Sequence, residues 1–129
     1  MKILVADDED QCRMLLQDMF ATDPRVQLTM ARDGAEAWWK LTEPAQRFDL
    51  AIFDLRMPTV DGLQLIERVR GSDALRRLPI ILCTGINDRD WVGCAARLAI
   101  NHYVVKPYKS DGMREKIAAL APRRSGLGR

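Results

Sequence analysis

Five short apolar runs punctuate the chain, and between them apolar residues recur at helical spacing. The runs are Lys2–Ala6, Val26–Ala31, Phe48–Asp54, Ile80–Cys83 and His102–Val105. Each is of strand length and is bounded by turn-forming or polar residues. The centre of the third, Leu50-Ala51-Ile52-Phe53, has no polar position at all, the pattern of a strand covered on both faces. The first intervening segment predicts a helix from about Asp10 to Ala21, burying Cys12, Leu15, Leu16, Met19 and Phe20 and stopped by Thr22-Asp23-Pro24. The second begins near Ala35, after the turn Arg32-Asp33-Gly34. It carries Ala37, Trp38 and Leu41 and ends before Pro44. The third opens at Gly62 and turns Leu63, Leu65, Ile66 and Val69 inward. A fourth follows the turn-rich stretch Gly85–Asp90 with Trp91, Val92, Ala95, Ala96 and Leu98. The last is capped by Ser110 and passes through Ile117 and Leu120 to Pro122, with Gly112 weakening its first turn.

Strands alternating with helices imply βα units and a parallel sheet. Right-handed crossovers then predict a three-layer α/β sandwich, five parallel strands flanked by five helices. The flavodoxin-like order 2-1-3-4-5 would place strands one and three side by side in the centre.

Composition narrows the picture without naming a function. At 129 residues, with 47% apolar and 29% charged residues, the chain suits one soluble domain, expected over residues 1–121. The polar, glycine-bearing stretch 122–129 is expected to be a disordered tail or a linker. A formal charge of +2 is too small to argue for direct nucleic-acid binding, and Arg123, Arg124 and Arg129 of the tail supply three of the positive charges. No apolar stretch reaches the ~20 residues that cross a bilayer. The start MKILVADDED lacks the features of a signal peptide, so a cytoplasmic protein is expected. Cys12, Cys83 and Cys94 have no CxxC spacing and read as small buried residues in a reducing compartment.

The chemistry lies at the ends of the apolar runs. Asp7 and Asp8 follow the first, Asp54 closes the third, Thr84 follows the fourth and Lys106 the fifth. In an open α/β sheet these ends share one edge, where ligands bind. Each residue alone has an ordinary reading: a solvated acid or cap, a strand exit, a turn threonine, a surface lysine. Together they suit a metal and a phosphoryl group. Crowded carboxylates repel, raising at least one pKa unless a hard cation joins them. Mg²⁺ (or Mn²⁺) takes oxygen ligands and keeps several waters. The expected ligands are Asp8 and Asp54, with Asp7 close behind and the backbone carbonyl of Arg56 as a further donor. Asp54 is the expected nucleophile toward phosphorus, with Lys106 and the Thr84 hydroxyl on phosphoryl oxygens.

The pieces Val5-Ala6-Asp7-Asp8-Glu9, Asp54-Leu55-Arg56-Met57-Pro58, Asp61-Gly62, Thr84-Gly85 and Tyr103-Val104-Val105-Lys106-Pro107 resemble the receiver domain of two-component response regulators. The resemblance extends over about residues 1–121. It implies a phosphoaccepting Asp54, a metal site at Asp7 and Asp8, a switch hydroxyl at Thr84, a switch aromatic at Tyr103 and a phosphate-contacting Lys106. It further implies a phosphoprotein that promotes its own phosphorylation and dephosphorylation rather than turning over a substrate. The implied donor is a sensor histidine kinase, a phosphotransfer protein or a small acyl phosphate. An unknown downstream protein would meet the face of helix four, strand five and the last helix, with the switch a monomer or a phosphorylation-dependent dimer.

Three departures from the family pattern stand out. Gly85 replaces the usual alanine, and Ala99-Ile100-Asn101-His102 stands where Gly-Ala is common. Arg56 places a long cation two residues after Asp54, expected to pair with Asp7 or another nearby acid and to slow the attack of water on a phosphoryl group. Three other readings stay open. An aspartate-nucleophile phosphatase of the haloacid dehalogenase type would carry an acid where Arg56 stands. A flavodoxin-like FMN carrier would need amide-rich residues where Asp7–Asp10 stand. A phosphorylation-independent, receiver-like interaction module would not need Asp54, Thr84 and Lys106 together.

Overall fold

A computed structural model of the chain describes residues 1–107 and 109–120. The expected tail, residues 122–129, lies outside the described residues. Five parallel strands, β1 (Lys2–Ala6), β2 (Gln27–Ala31), β3 (Leu50–Asp54), β4 (Ile80–Thr84) and β5 (His102–Val105), form one sheet in the order β2-β1-β3-β4-β5. The helices are α1 (Asp10–Phe20), α2 (Gly34–Leu41), α3 (Gly62–Arg70) and α4 (Ser110–Leu120).

The strands alternate between two cores, because successive side chains of a strand point to opposite faces. Leu4, Ala6, Ala51, Phe53, Ile80 and Leu82 face α2, α3 and the segment after β4. Ile3, Val5, Leu50, Ile52, Ile81 and Cys83 face α1 and α4. Every residue of β3 and β4 is buried. At roughly 25 cal/mol per Å² of apolar surface removed from water, this two-sided burial is the main force holding the sheet. It explains why the central run is uniformly apolar rather than alternating.

The helix starts are built locally. Asp33 caps α2, its carboxylate accepting from the Glu36 amide at 2.8 Å. Asp61 and Gln64 form a reciprocal capping box at α3, with contacts of 2.8 and 2.9 Å. Gly62 follows for a steric reason. A Cβ there would lie 2.5 Å from the Asp54 carbonyl oxygen, so only glycine lets α3 start against the end of β3.

Among the described residues four α-helices flank the sheet rather than five, and the missing one is the expected fourth. Residues 91–99 form a 3-10 turn (Val92–Cys94) followed by further turns, with Ala99 at φ 54°. Of the expected apolar stripe, Trp91 and Leu98 are buried and Ala95 is half-buried, whereas Val92 and Ala96 are exposed. The hydrogen bonding is not that of a regular helix. The amides of Cys94 and Ala95 reach back three residues, and the Ile100 amide closes onto the Ala95 carbonyl at 2.8 Å. Gly93 is a poor helix former. The Arg70 guanidinium captures the Leu98 carbonyl at 2.8 Å, along with those of Arg76 and Leu78. Smaller shifts concern ends: β2 starts at Gln27, β3 at Leu50 and α2 at Gly34, while β4 includes Thr84 and α1 stops at Phe20.

Candidate functional site

The sheet order brings the chemistry together. β1 and β3 are neighbours, with Ala6 beside Phe53 in register, so the acids after β1 lie next to Asp54. On the other side, Asp54 is in register with Cys83, which places Thr84 at the same edge. Lys106 follows β5, and its amide donates to the Thr84 carbonyl at 2.7 Å, clipping the two strand ends together.

Asp7 is buried and fully directed. Its amide donates to the Ala31 carbonyl, its Oδ1 accepts from the Glu9 amide at 2.9 Å, and its carbonyl accepts from Arg13 Nη1 at 2.6 Å. Lys106 Nζ sits among three acids, 3.0 Å from Asp7 Oδ2, 3.0 Å from Glu9 Oε1 and 3.2 Å from Asp54 Oδ2. Asp54 is only 6% exposed and Thr84 only 2%. Asp8 is exposed at the rim, and carboxylate oxygens of Asp7, Asp8, Glu9 and Asp54 all lie within 4.8 Å of one another.

One ammonium does not neutralise this cluster. Burial, and then the charge of Asp7, push the Asp54 carboxyl up from its ordinary 3.8 to about 7, against the pull of Lys106. Burial works to lower the Lys106 ammonium pKa, but the bond to Asp7 and the charges of Asp54 and Asp7 outweigh it and raise it. The bond from Lys106 holds Glu9 below the usual carboxylate range. A site with surplus negative charge, oxygen donors from several residues and an open rim fits a hard divalent cation. The family-implied Mg²⁺ thus meets a suitable donor set.

Of the acids open to Arg56, the structure selects a pair on the loop after β4. The Arg56 side chain does not pair with Asp7. It turns to the loop after β4, where Nη2 contacts Asp88 Oδ1 at 2.9 Å and Asp90 Oδ2 at 2.8 Å. The physical reason is that Asp7 is already buried against Lys106, whereas Asp88 and Asp90 flank the loop that Arg56 overhangs. Tyr103 lies apart from the acid cluster. It is 46% exposed on the edge strand, in register with Leu82, with its ring 4.9 Å from that of Trp91. Trp91 itself is buried in the core. Trp38 packs against that core while Trp39 is exposed, and His102 is half-buried at the start of β5.

Glu9, Asp88 and Asp90 were not singled out from the sequence. Glu9 belonged to the visible acid run Asp7–Asp10, which was the available signal. Nothing local marked Asp88 and Asp90, because their partner lies more than thirty residues away.

The site and fold together define a class. Residues 3–118 match the response regulator receiver domain, and the chain belongs to that family of two-component signalling proteins. Among its relatives is the chemotaxis protein CheY of Pseudomonas aeruginosa, 32% identical over 126 residues that span 98% of this chain and 100% of that protein. Chemotaxis protein CheY1 of Helicobacter pylori is 32% identical over 117 residues, covering 91% of this chain and 94% of the relative. A signal receiver domain of a signal transduction histidine kinase from Syntrophus aciditrophicus superposes with a TM-score of 0.81 at 28% identity, covering 92% of this chain and 88% of that one. No helix among the described residues is long and apolar enough to cross a membrane.

Proposed function

We propose that this chain is a cytoplasmic phosphorylation switch, formed by residues 1–121, which accepts a phosphoryl group on Asp54. The observation that carries the reading is the buried Asp54 carboxylate at the end of the central strand, with Lys106 Nζ 3.2 Å from its Oδ2. A carboxylate oxygen of Asp54 attacks phosphorus, the bond from phosphorus to the donor atom breaks, and the donor leaves with that electron pair. The donor is a histidine kinase, a phosphotransfer protein or a small acyl phosphate. Asp54 must be ionised to attack. With its carboxyl held near 7, much of it carries a proton at neutral pH unless further positive charge arrives.

Asp7, Asp8 and Asp54, with the Arg56 backbone carbonyl, would hold Mg²⁺ (or Mn²⁺). When bound, the cation supplies positive charge to the carboxylates and to the phosphoryl oxygens. Lys106 orients and neutralises one phosphoryl oxygen, and the Thr84 hydroxyl donates to another. Drawing Thr84 inward opens room for Tyr103, which changes the surface made by residues 91–99, β5 and α4. This is a population shift between two packings, biased by a local charge event. A downstream protein reads that face, and the switch acts as a monomer or a phosphorylation-dependent dimer. Loss of the phosphoryl group to water resets it.

The test is incubation with Mg²⁺ and a small acyl phosphate, followed by intact mass measurement. One acid-labile phosphoryl group is expected on the parent and none on Asp54→Asn. Equal labelling of both proteins would refute the assignment.

A further inference from the structure

The two departures nearest the site, Arg56 and Gly85, belong to one arrangement. Arg56 lies two residues beyond Asp54, and its guanidinium spans to the loop after β4. Nε and Nη2 both donate to Asp88 Oδ1, at 3.2 and 2.9 Å, and Nη2 also donates to Asp90 Oδ2 at 2.8 Å. Asp88 Oδ2 in turn accepts from the Gly85 amide at 3.3 Å. An alanine at 85 would place its Cβ 3.1 Å from that same oxygen, tight enough that the carboxylate must shift. Glycine beside Thr84 thus leaves the Asp88 carboxylate room that an alanine would reduce by a few tenths of an ångström.

The contacts continue past Asp88. Its carbonyl accepts from Trp91 Nε1 at 3.2 Å. The Trp91 ring lies 4.9 Å from that of Tyr103, inclined at 48°. An unbroken series of contacts thus runs from the loop after the phosphoacceptor, through Arg56, Asp88 and Trp91, to the exposed tyrosine of β5. It does not pass through the Thr84 side chain.

We propose that Arg56 is a positioning residue, and that its clasp on Asp88 and Asp90 is a latch holding the 85–91 loop, and with it Trp91 against Tyr103, in the resting state. This rests on the reading of Asp54 as phosphoacceptor. A phosphoryl group two residues away is an anion with several acceptor oxygens. A guanidinium suits such a group at least as well as a carboxylate. The clasp is solvent-exposed, and exposed ion pairs are weak enough to be exchanged rather than broken at great cost. Phosphorylation therefore competes with Asp88 and Asp90 for Arg56, and its departure frees the loop. The 85–91 loop is the two-state element that both ends bias.

The experiment follows the Trp91 indole N–H resonance in the full chain, assigned with Trp91→Phe. In the unphosphorylated protein, Arg56→Ala and Asp88→Asn should each move this resonance most of the way toward its position in the phosphorylated parent. Phosphorylating Arg56→Ala should then move it little further. A resonance that stays at its resting position in both variants would overturn the latch. So would a phosphorylation-induced shift as large in Arg56→Ala as in the parent. Intact mass is measured on every sample. A parent that gains no phosphoryl mass would count against the function reading and against the release step. The resting-state shifts would still decide the clasp.

Discussion

Replacing Asp54 by asparagine removes the charge that the fold tolerates least, and it should stabilise the metal-free protein. The carboxyl is pushed from its ordinary 3.8 to about 7, first by burial and then by Asp7. The folded protein therefore holds this proton more tightly than the unfolded chain does. Stability from this group is full below about pH 4 and is lost as pH rises through about 7. A displacement of about three units corresponds to about 4 kcal/mol once the pH exceeds the folded value, at ~1.4 kcal/mol per unit. At pH 5 the unfolded chain has released its proton and the folded one has not, so the cost is smaller, about 2 kcal/mol. Asparagine keeps the shape and has no such cost. With chelator present, Asp54→Asn should melt about 15 °C above the parent at pH 8, given ~3–5 °C per kcal/mol at this chain length. The gap should shrink at pH 5. It should also shrink at pH 8 with saturating Mg²⁺, which stabilises the parent by binding its folded state. Thermal melts of both proteins at pH 5 and 8, with chelator and with Mg²⁺, read all of this. An asparagine variant no more stable than the parent at pH 8, or a gap equal at both pH values, would refute the electrostatic account of the site.

Other outcomes follow from the same geometry. Asp8 is exposed and holds no core contact, so Asp8→Ala should weaken Mg²⁺ binding at least about tenfold, or ~1.4 kcal/mol, while shifting the melting temperature little; isothermal titration and a melt decide it. Lys106→Met leaves Asp7, Glu9 and Asp54 without their shared cation; it should cost about 3 kcal/mol at pH 8 in urea unfolding, less at pH 5, and should slow labelling by acyl phosphate. Gly62→Ala drives a Cβ to 2.5 Å from the Asp54 carbonyl; a loss of about 1–3 kcal/mol is expected, with slower phosphorylation because the Asp54 loop is displaced, and an unaltered melt would show that α3 can back away freely.

Much of this protein is determined by local pattern. Short apolar runs, uninterrupted at the centre of β3 and in β4, mark the strands, and the order of apolar runs and helical stretches predicts the sheet topology. The acids after β1, Asp54, Thr84 and Lys106 were legible because a parallel sheet delivers every strand's carboxyl end to one edge. The turn at Asp33-Gly34 and the glycine at 62 mark helix starts, and the caps that Asp33 and Asp61 form there bind residues only three away. What the sequence could not decide depends on groups distant along the chain. Residues 91–99 have helical spacing, but their hydrogen bonds were reset by Arg70 from α3 and by turns at Gly93 and Ala99. Arg56 had several acids to choose from, and the choice of Asp88 and Asp90 was made by Lys106 occupying Asp7 and by the loop after β4 lying within reach. Glu9 entered the cluster because Lys106, ninety-seven residues away, reaches it at 3.0 Å. The Asp54 carboxyl is near 7 for the same reason: burial and the nearness of Asp7 belong to the folded chain, and neither exists until β1 and β3 lie side by side.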